Sequence, residues 1–170
     1  TDRIACQTCH IPHFARGDYP SKMVWDWSTA GKMNDKGKPF STLDQAGNEI
    51  YNSKKGDFVW QSNVVPEYRW FNGSVEYTLP TDKFDPTKVV EINSFKGSAD
   101  DPMSLIWPIK LMRGKQPYDT VNKTLVTPHT TGKDGYWSTF DWQSAITKGM
   151  AAAELPYSGQ FGFVATEMSW

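Results

Sequence analysis

The residues best suited to chemistry lie at the start of the chain. The run Cys6-Gln7-Thr8-Cys9-His10 holds both cysteines of the 170 residues, three positions apart, with a histidine directly after the second. Two thiols at this spacing can form thioethers with the two vinyl groups on one edge of a porphyrin, and the adjacent imidazole then reaches the iron. The motif predicts covalent haem c on Cys6 and Cys9, with His10 as the proximal iron ligand.

Three other uses of these cysteines stay open at this point. A redox-active CxxC pair normally lies between a strand and a helix, but nothing strand-like precedes Cys6 and Pro12 follows too soon for a long helix. A zinc site needs more ligands, and only His13 and His129 remain to supply them. A plain structural disulfide is the third alternative.

An electron-transfer haem normally has two strong axial ligands, so a second one is expected. His129, in Thr127-Pro128-His129, is the candidate axial ligand of the same or of a neighbouring haem. His13 lies too near His10 to reach the opposite face of the same haem, and is a candidate ligand of a neighbouring haem. Either ring could equally be an ordinary exposed or hydrogen-bonded histidine.

Three arginines are candidate partners of haem propionates, because the guanidinium fork binds carboxylates in a bidentate manner. They are Arg16, Arg69 and Arg113. Each could equally be a surface charge.

Composition narrows the class of protein. The 18 Lys and Arg balance 19 Asp and Glu, which argues against binding to nucleic acid or a membrane surface. No apolar run approaches the ~20 residues of a transmembrane helix. The lack of an initiator methionine or signal peptide indicates a mature product or a piece of something longer. Residues 1–170 are therefore expected to form a single haem-binding segment.

Aromatic and turn-forming residues dominate the rest, with 8 Trp, 13 Gly and 11 Pro. One long helix is predicted after Asp141, where apolar residues recur at helical spacing. Asn72-Gly73 predicts a hairpin between strands at 67–71 and 74–79, and polar residues 34–57 predict a loop or weak hairpin. The expected fold is mixed α+β with much irregular structure, short hairpins and one late helix packed around haem rather than around a sheet.

The segments flanking the CxxCH motif add a family resemblance, which covers nearly the whole chain. They resemble an internal one-haem segment of the octahaem tetrathionate reductase family. The segments are CQTCHIP (6–12), FARG (14–17), KM (22–23), WDWSTAG (25–31), VPEYRWFNG (65–73), GSADDP (97–102), IWP (106–108), MRGKQPYD (112–119) and the ending 157–170.

The resemblance implies a fold of multihaem cytochrome c type, in a longer chain with eight haems c, of which this segment would hold one. It implies a periplasmic or extracellular location, partners that are other haems and cytochrome segments or subunits, and a small nitrogen or sulfur oxyanion as substrate (tetrathionate, nitrite or hydroxylamine type). Related enzymes carry a lysine-ligated catalytic haem. Lys22, Lys110 and Lys115 lie in family-like motifs, but each is expected to be an ordinary or propionate-pairing lysine.

The sequence thus predicts an electron-transfer or catalytic segment of a multihaem c-type cytochrome reductase. The first alternative is a stand-alone or filament-forming cytochrome that only carries electrons. The second is a Trp-rich β binding module without haem, which the CxxCH motif argues against.

Overall fold

The computed structural model describes residues 2–170, and most of its regular secondary structure is strand. Its helices are α1 (Cys6–His10), α2 (Tyr136–Thr139) and α3 (Trp142–Ala152), with one 3-10 turn at Trp27–Thr29. Its strands are β1 (Ser21–Asp26), β2 (Ser41–Leu43), β3 (Glu49–Asn52), β4 (Gly56–Gln61), β5 (Glu67–Phe71), β6 (Val75–Tyr77), β7 (Val90–Glu91), β8 (Asn93–Phe95), β9 (Leu105–Ile109), β10 (Leu111–Asp119), β11 (Thr124–Leu125) and β12 (Phe161–Ser169).

An eight-stranded sheet organises the chain, in the order β2-β3-β4-β1-β10-β12-β7, with β11 paired to β10. Its longest ladder joins β10 and β12, which are antiparallel in unbroken register from Leu111 opposite Ser169 to Asp119 opposite Phe161. Strands β1 and β10 run parallel, as do β12 and β7. The expectation of a fold shaped around cofactors instead of a sheet was wrong in this respect, because long-range ladders bring β1, β10 and β12 together.

The predicted hairpin around Asn72-Gly73 was also wrong in its pairing. A turn does form there: the Asn72 side chain accepts a hydrogen bond from the Ser74 backbone N–H, and Gly73 has a φ of 95°. The two flanking strands do not pair with each other, since β5 pairs with β9 and β6 pairs with β8. The local turn signal was correct, but more distant strands took the edges of β5 and β6.

The polar stretch 34–57 carries β2, β3 and the start of β4, which form an antiparallel meander. Tyr51 and Ser53 in it are buried. The Ser53 hydroxyl donates to the Lys32 carbonyl at 2.7 Å and accepts from the Phe40 N–H at 2.8 Å. The weak-hairpin prediction was therefore right about pairing, but the stretch belongs to the sheet instead of standing apart as a loop.

The one long helix was predicted correctly. Asp141 caps α3, since its carboxylate accepts from the Ser144 N–H at 3.0 Å. The buried face of α3 consists of Ala145, Ile146, Gly149 and Met150. A Cβ on Gly149 would lie 1.8 Å from the Thr127 carbonyl oxygen, so glycine is what lets the helix approach the segment 127–129.

A buried carboxylate fixes the end of β10. Asp119 is fully buried and accepts hydrogen bonds from the Val121 and Asn122 N–H groups and from the Ser158 N–H and hydroxyl. Burial alone would raise its pKa, but these hydrogen bonds outweigh burial and hold the pKa below its ordinary value. The carboxylate thereby joins the turn after β10 to the loop before β12.

Candidate haem-attachment site

The two cysteines and His10 share one face of the short helix α1. At 3.6 residues per turn, successive side chains are about 100° apart, so Cys6, Cys9 and His10 fall within an arc of about 100°. Thr8 points to the opposite side. All three functional side chains are exposed, and both thiols are free. This places two thiols and an imidazole side by side on an open surface.

The opposite side of α1 is attached to strand β9. The Ile106 carbonyl oxygen accepts both the Ala5 N–H at 3.1 Å and the Thr8 hydroxyl at 2.6 Å. Ala5, the N-cap of α1, is 3% exposed. Because Thr8 is bonded to the strand, the cysteine face must turn outward.

Further contacts hold the chain on both sides of the motif. Before it, Ile4 bridges Ile106, and the Arg3 guanidinium donates to the Ser104 and Asp101 carbonyl oxygens at 3.0 and 2.8 Å. After it, Phe14 and Val64 exchange backbone hydrogen bonds at 2.9 and 3.0 Å. The motif is thus an exposed segment whose two ends are fixed.

The geometry weighs against the other uses of the cysteines. Within residues 2–170 no group of three or more His, Cys, Asp or Glu converges in a way that could hold a metal ion, which a zinc site would require. The cysteines are unpaired and lie on an isolated helical turn that follows a single β-bridge, not in a βαβ unit. Two adjacent free thiols beside an imidazole are the donor set that haem c requires.

His129 and His13 are not connected to α1 by any hydrogen bond described in residues 2–170. His129 lies between β11 and α2, where its backbone N–H donates to the Ala145 carbonyl and its Nε2 is 3.3 Å from Asp134 Oδ1. Lys148 also binds Asp134, and this hydrogen bond is the largest of the effects that lower the pKa of that carboxyl. His13 is exposed between α1 and Phe14. Iron binding through Nε2 of His129 would require the Asp134 contact to break, so its role as a ligand stays a prediction.

Two of the three candidate propionate partners already have carboxylate partners within the chain. Arg113 pairs with Glu167 at 3.0 Å and with Glu67 at 3.5 Å. Arg69 pairs with the same Glu67 at 3.4 Å and with Glu91 at 3.8 Å. A propionate would have to replace these carboxylates. The third arginine, Arg16, is exposed just beyond the fixed end of the motif.

The three lysines of family-like motifs occupy different surroundings. Lys22 lies over the rings of Trp25, Phe58 and Trp60, with Nζ 3.6 Å from the Phe58 centroid. Burial lowers the pKa of Lys22, and also that of Lys110. By contrast, Lys115 forms an ion pair with Asp26 at 3.7 Å.

Sequence reasoning missed the residues that hold the motif in place. The Thr8 hydroxyl and the Ile106 carbonyl attach α1 to β9, and the Arg3 guanidinium binds the turn just before β9, about 100 residues away along the chain. A threonine within CxxCH is a weak local signal, and a backbone carbonyl leaves none. These positioning groups could be found only from the fold.

Comparison with known proteins agrees with the motif. Residues 22–170 match the family described as bacterial cytochrome c. A crystal structure of an octahaem cytochrome c from Shewanella oneidensis is 43% identical over the whole of this chain, with a TM-score of 0.90. The chain spans 39% of the length of that relative. No curated protein matches the sequence.

These matches confirm the resemblance to octahaem cytochromes and the cofactor class, haem c. The family match begins after α1, while the structural match includes it, so the CxxCH segment and the β framework are both covered. None of the helices within residues 2–170 has the length and apolar character needed to cross a membrane. The chain belongs to the bacterial cytochrome c family.

Proposed function

We propose that this chain is a haem-binding, electron-transfer segment of a multihaem c-type cytochrome reductase in the periplasm or outside the cell. The observation that carries the proposal is the outward-facing set of Cys6, Cys9 and His10 on a helix fixed to β9. Membership of a cytochrome c family and the full-length similarity to part of an octahaem protein support it.

The proposed roles follow from the geometry of α1. The thiols of Cys6 and Cys9 would hold the haem through two thioethers, and the His10 imidazole would ligate its iron. Haem c supplies reversible one-electron chemistry at its iron. Thr8 and Ala5, through the Ile106 carbonyl, keep the helix from turning and so set the orientation of the attached group.

The wider assembly is proposed from the similarity to an octahaem protein and from the family resemblance. The relative is an octahaem protein about 2.6 times the length of this chain, since this chain covers 39% of it. The proposed partners of this segment are therefore other haems and cytochrome segments or subunits. His13 is proposed as a ligand to a neighbouring haem, His129 as a ligand to this or a neighbouring haem, and Arg16, Arg69 and Arg113 as partners of propionates.

The proposed substrate is a small inorganic oxyanion of nitrogen or sulfur, reduced at a catalytic haem to which this segment passes electrons. The support for this substrate class is the family resemblance in the aromatic and Gly/Pro framework. A carrier that only conducts electrons is the competing function. Membership of a cytochrome c family argues against a binding module without haem.

Intact mass of the native chain after denaturation, with a haem-to-protein ratio from the pyridine haemochrome spectrum, tests the proposal. A chain much heavier than 19.3 kDa that carries about as many haems as its octahaem relative would support the proposed reductase segment. A 19.3 kDa chain plus one haem would instead make this a single-haem carrier. Reduction of tetrathionate, nitrite or hydroxylamine by the purified native protein then decides between reductase and carrier.

A further inference from the structure

Three tryptophans form an unbroken row of ring contacts on the main sheet and helix α3. Trp25 and Trp27 are stacked, with centroids 4.7 Å apart and planes 20° apart. Trp27 meets Trp142 edge to face at 6.1 Å. Trp142 is in turn stacked on Tyr136 at 3.9 Å. The row joins the end of β1 to the start of α3.

We propose that Trp25, Trp27 and Trp142 form a one-electron relay, in which an electron vacancy made on one indole is shared with the next. Indole is the amino-acid ring that loses an electron most readily without first losing a proton. Electron tunnelling falls steeply with the gap between π systems, so rings in contact exchange electrons far faster than rings separated by aliphatic side chains. This relay goes beyond the proposed function and does not depend on it.

The electron count of the relay is simple. A high-potential metal complex, such as ruthenium(III) tris(bipyridine), takes one electron from an indole and is reduced to ruthenium(II), which leaves an indole radical cation. An electron from the neighbouring indole fills that vacancy and moves it one ring along, without making or breaking a bond. A one-electron reductant of the enediol class, such as ascorbate, finally returns the electron and restores the ring.

Proton loss would trap the vacancy, and the surroundings of Trp25 disfavour it. The Trp25 Nε1–H donates to the Lys55 carbonyl oxygen at 2.8 Å. An amide carbonyl is too weak a base to take this proton, so an oxidised Trp25 keeps its charge. A charged vacancy can move on to Trp27, whereas a neutral indolyl radical would stay.

Charges and hydrogen bonding set where the vacancy rests. The Lys22 ammonium lies 4.5 Å from the Trp25 centroid and opposes a positive charge on that ring. At the other end, Tyr136 must lose a proton when it is oxidised. Its hydroxyl is buried and has no hydrogen-bond partner within residues 2–170, and burial raises its pKa to about 12. The vacancy is therefore expected to rest on Trp27 and Trp142.

Core packing alone explains the row of tryptophans less well than a relay does. All three tryptophans are half-buried and lie outside the fully buried core. Trp107 offers a matched comparison, because it is also half-buried in a strand and packs edge to face on Phe71 at 5.9 Å. Phenylalanine is much harder to oxidise than indole, so Trp107 has a ring contact without a relay partner.

The test uses the full-length haem-loaded protein and photogenerated ruthenium(III) tris(bipyridine) as the oxidant, with oxidation at each tryptophan measured by peptide mass spectrometry. In Trp27→Phe, oxidation at Trp142 should fall several-fold, while Trp107→Phe should leave it unchanged. Packing alone predicts the opposite, because the smaller ring exposes Trp142. Unchanged or increased oxidation of Trp142 in Trp27→Phe would overturn the relay.

A second variant covers the case in which Trp27→Phe does not fold. Lys22→Leu keeps an apolar side chain over the rings but removes the charge and adds no oxidisable group. The share of oxidation found at Trp25 should rise several-fold relative to that at Trp142. An unchanged distribution in a folded Lys22→Leu protein would contradict the proposed electrostatic bias and the relay with it.

Discussion

The N-terminal arm, residues 3–15, and the eight-stranded sheet are stabilised in opposite ways. The arm buries only Ala5, and backbone and polar hydrogen bonds to β9 and Val64 hold it in place. The sheet buries large apolar side chains such as Phe58, Leu111 and Val164. The sheet has a buried apolar core, whereas the side chains of Cys6, Cys9 and His10 in the arm are exposed. The difference indicates that the arm is built to receive an external group.

The largest expected effect comes from removing both thiols. Cys6→Ser combined with Cys9→Ser should abolish covalent haem on this segment, because no other cysteine exists in the 170 residues. The sheet should keep its circular dichroism spectrum, since both side chains are exposed. Haem staining of the denatured tryptic digest measures the loss.

Thr8→Val is the matched control for that change. It keeps both cysteines but removes the bond to the Ile106 carbonyl, at a cost of about 1 kcal/mol in the free energy of unfolding. Covalent haem should remain. On this account the face of α1 with Cys6 and Cys9 attaches haem, and the opposite face with Thr8 holds the helix on β9. Loss of haem in Thr8→Val, or its retention on the segment in the double serine variant, would contradict that division.

Asp119→Asn should produce the largest loss of stability in the sheet region. The amide would point a donor at groups that are themselves donors, so the free energy of unfolding should fall by about 3 kcal/mol. The folded pKa of Asp119 lies below its ordinary value, so the stabilisation is present above about pH 4 and is lost as the pH falls through the folded pKa.

Urea unfolding of wild type and Asp119→Asn at several pH values measures this effect. The two curves should converge at acid pH. Asp35→Asn, at an exposed carboxylate, serves as the control and should behave like wild type. A difference that does not change with pH would show that charge on Asp119 is unimportant.

Gly149→Ala should destabilise the helix packing even though alanine favours helices. The added Cβ would meet the Thr127 carbonyl oxygen, so overpacking should cost about 2 kcal/mol after the gain in helix propensity. Ala151→Gly, on the exposed face of α3, should cost about 1 kcal/mol through propensity alone. Guanidinium unfolding compares the two variants, and a more stable Gly149→Ala protein would contradict the packing.

The smallest effect is expected at the surface ion pairs. Arg113→Gln should change the free energy of unfolding by about 0.5 kcal/mol or less, because the Arg113 side chain in its pairs with Glu167 and Glu67 is solvent-exposed. If Arg113 also binds a propionate, the reduction potential of the full-length protein should shift while stability barely changes. An unchanged potential in a redox titration would remove Arg113 from the proposed propionate partners.

The sequence predicted the chemical groups of the site better than the strand pairing that positions them. CxxCH identifies its own donors because thiols and imidazole at that spacing have few uses, and Asp141 marks the start of α3 because capping is local. Asn72-Gly73 marked a turn but not the partners of β5 and β6, which depend on distant strands. Strands β10 and β12 were missed because Gly114, Pro117 and Gly162 weaken the local strand signal while long-range pairing forms the ladder.

The central claim is that Cys6 and Cys9 carry haem. Trypsin cuts after Arg3 and Arg16, so residues 4–16 form one peptide that contains both cysteines and His10. Mass spectrometry of this peptide from the native protein is the most direct test. We expect its mass to exceed that of the unmodified peptide by one haem. An unmodified peptide, or one lighter by two hydrogens through a disulfide, would contradict the account.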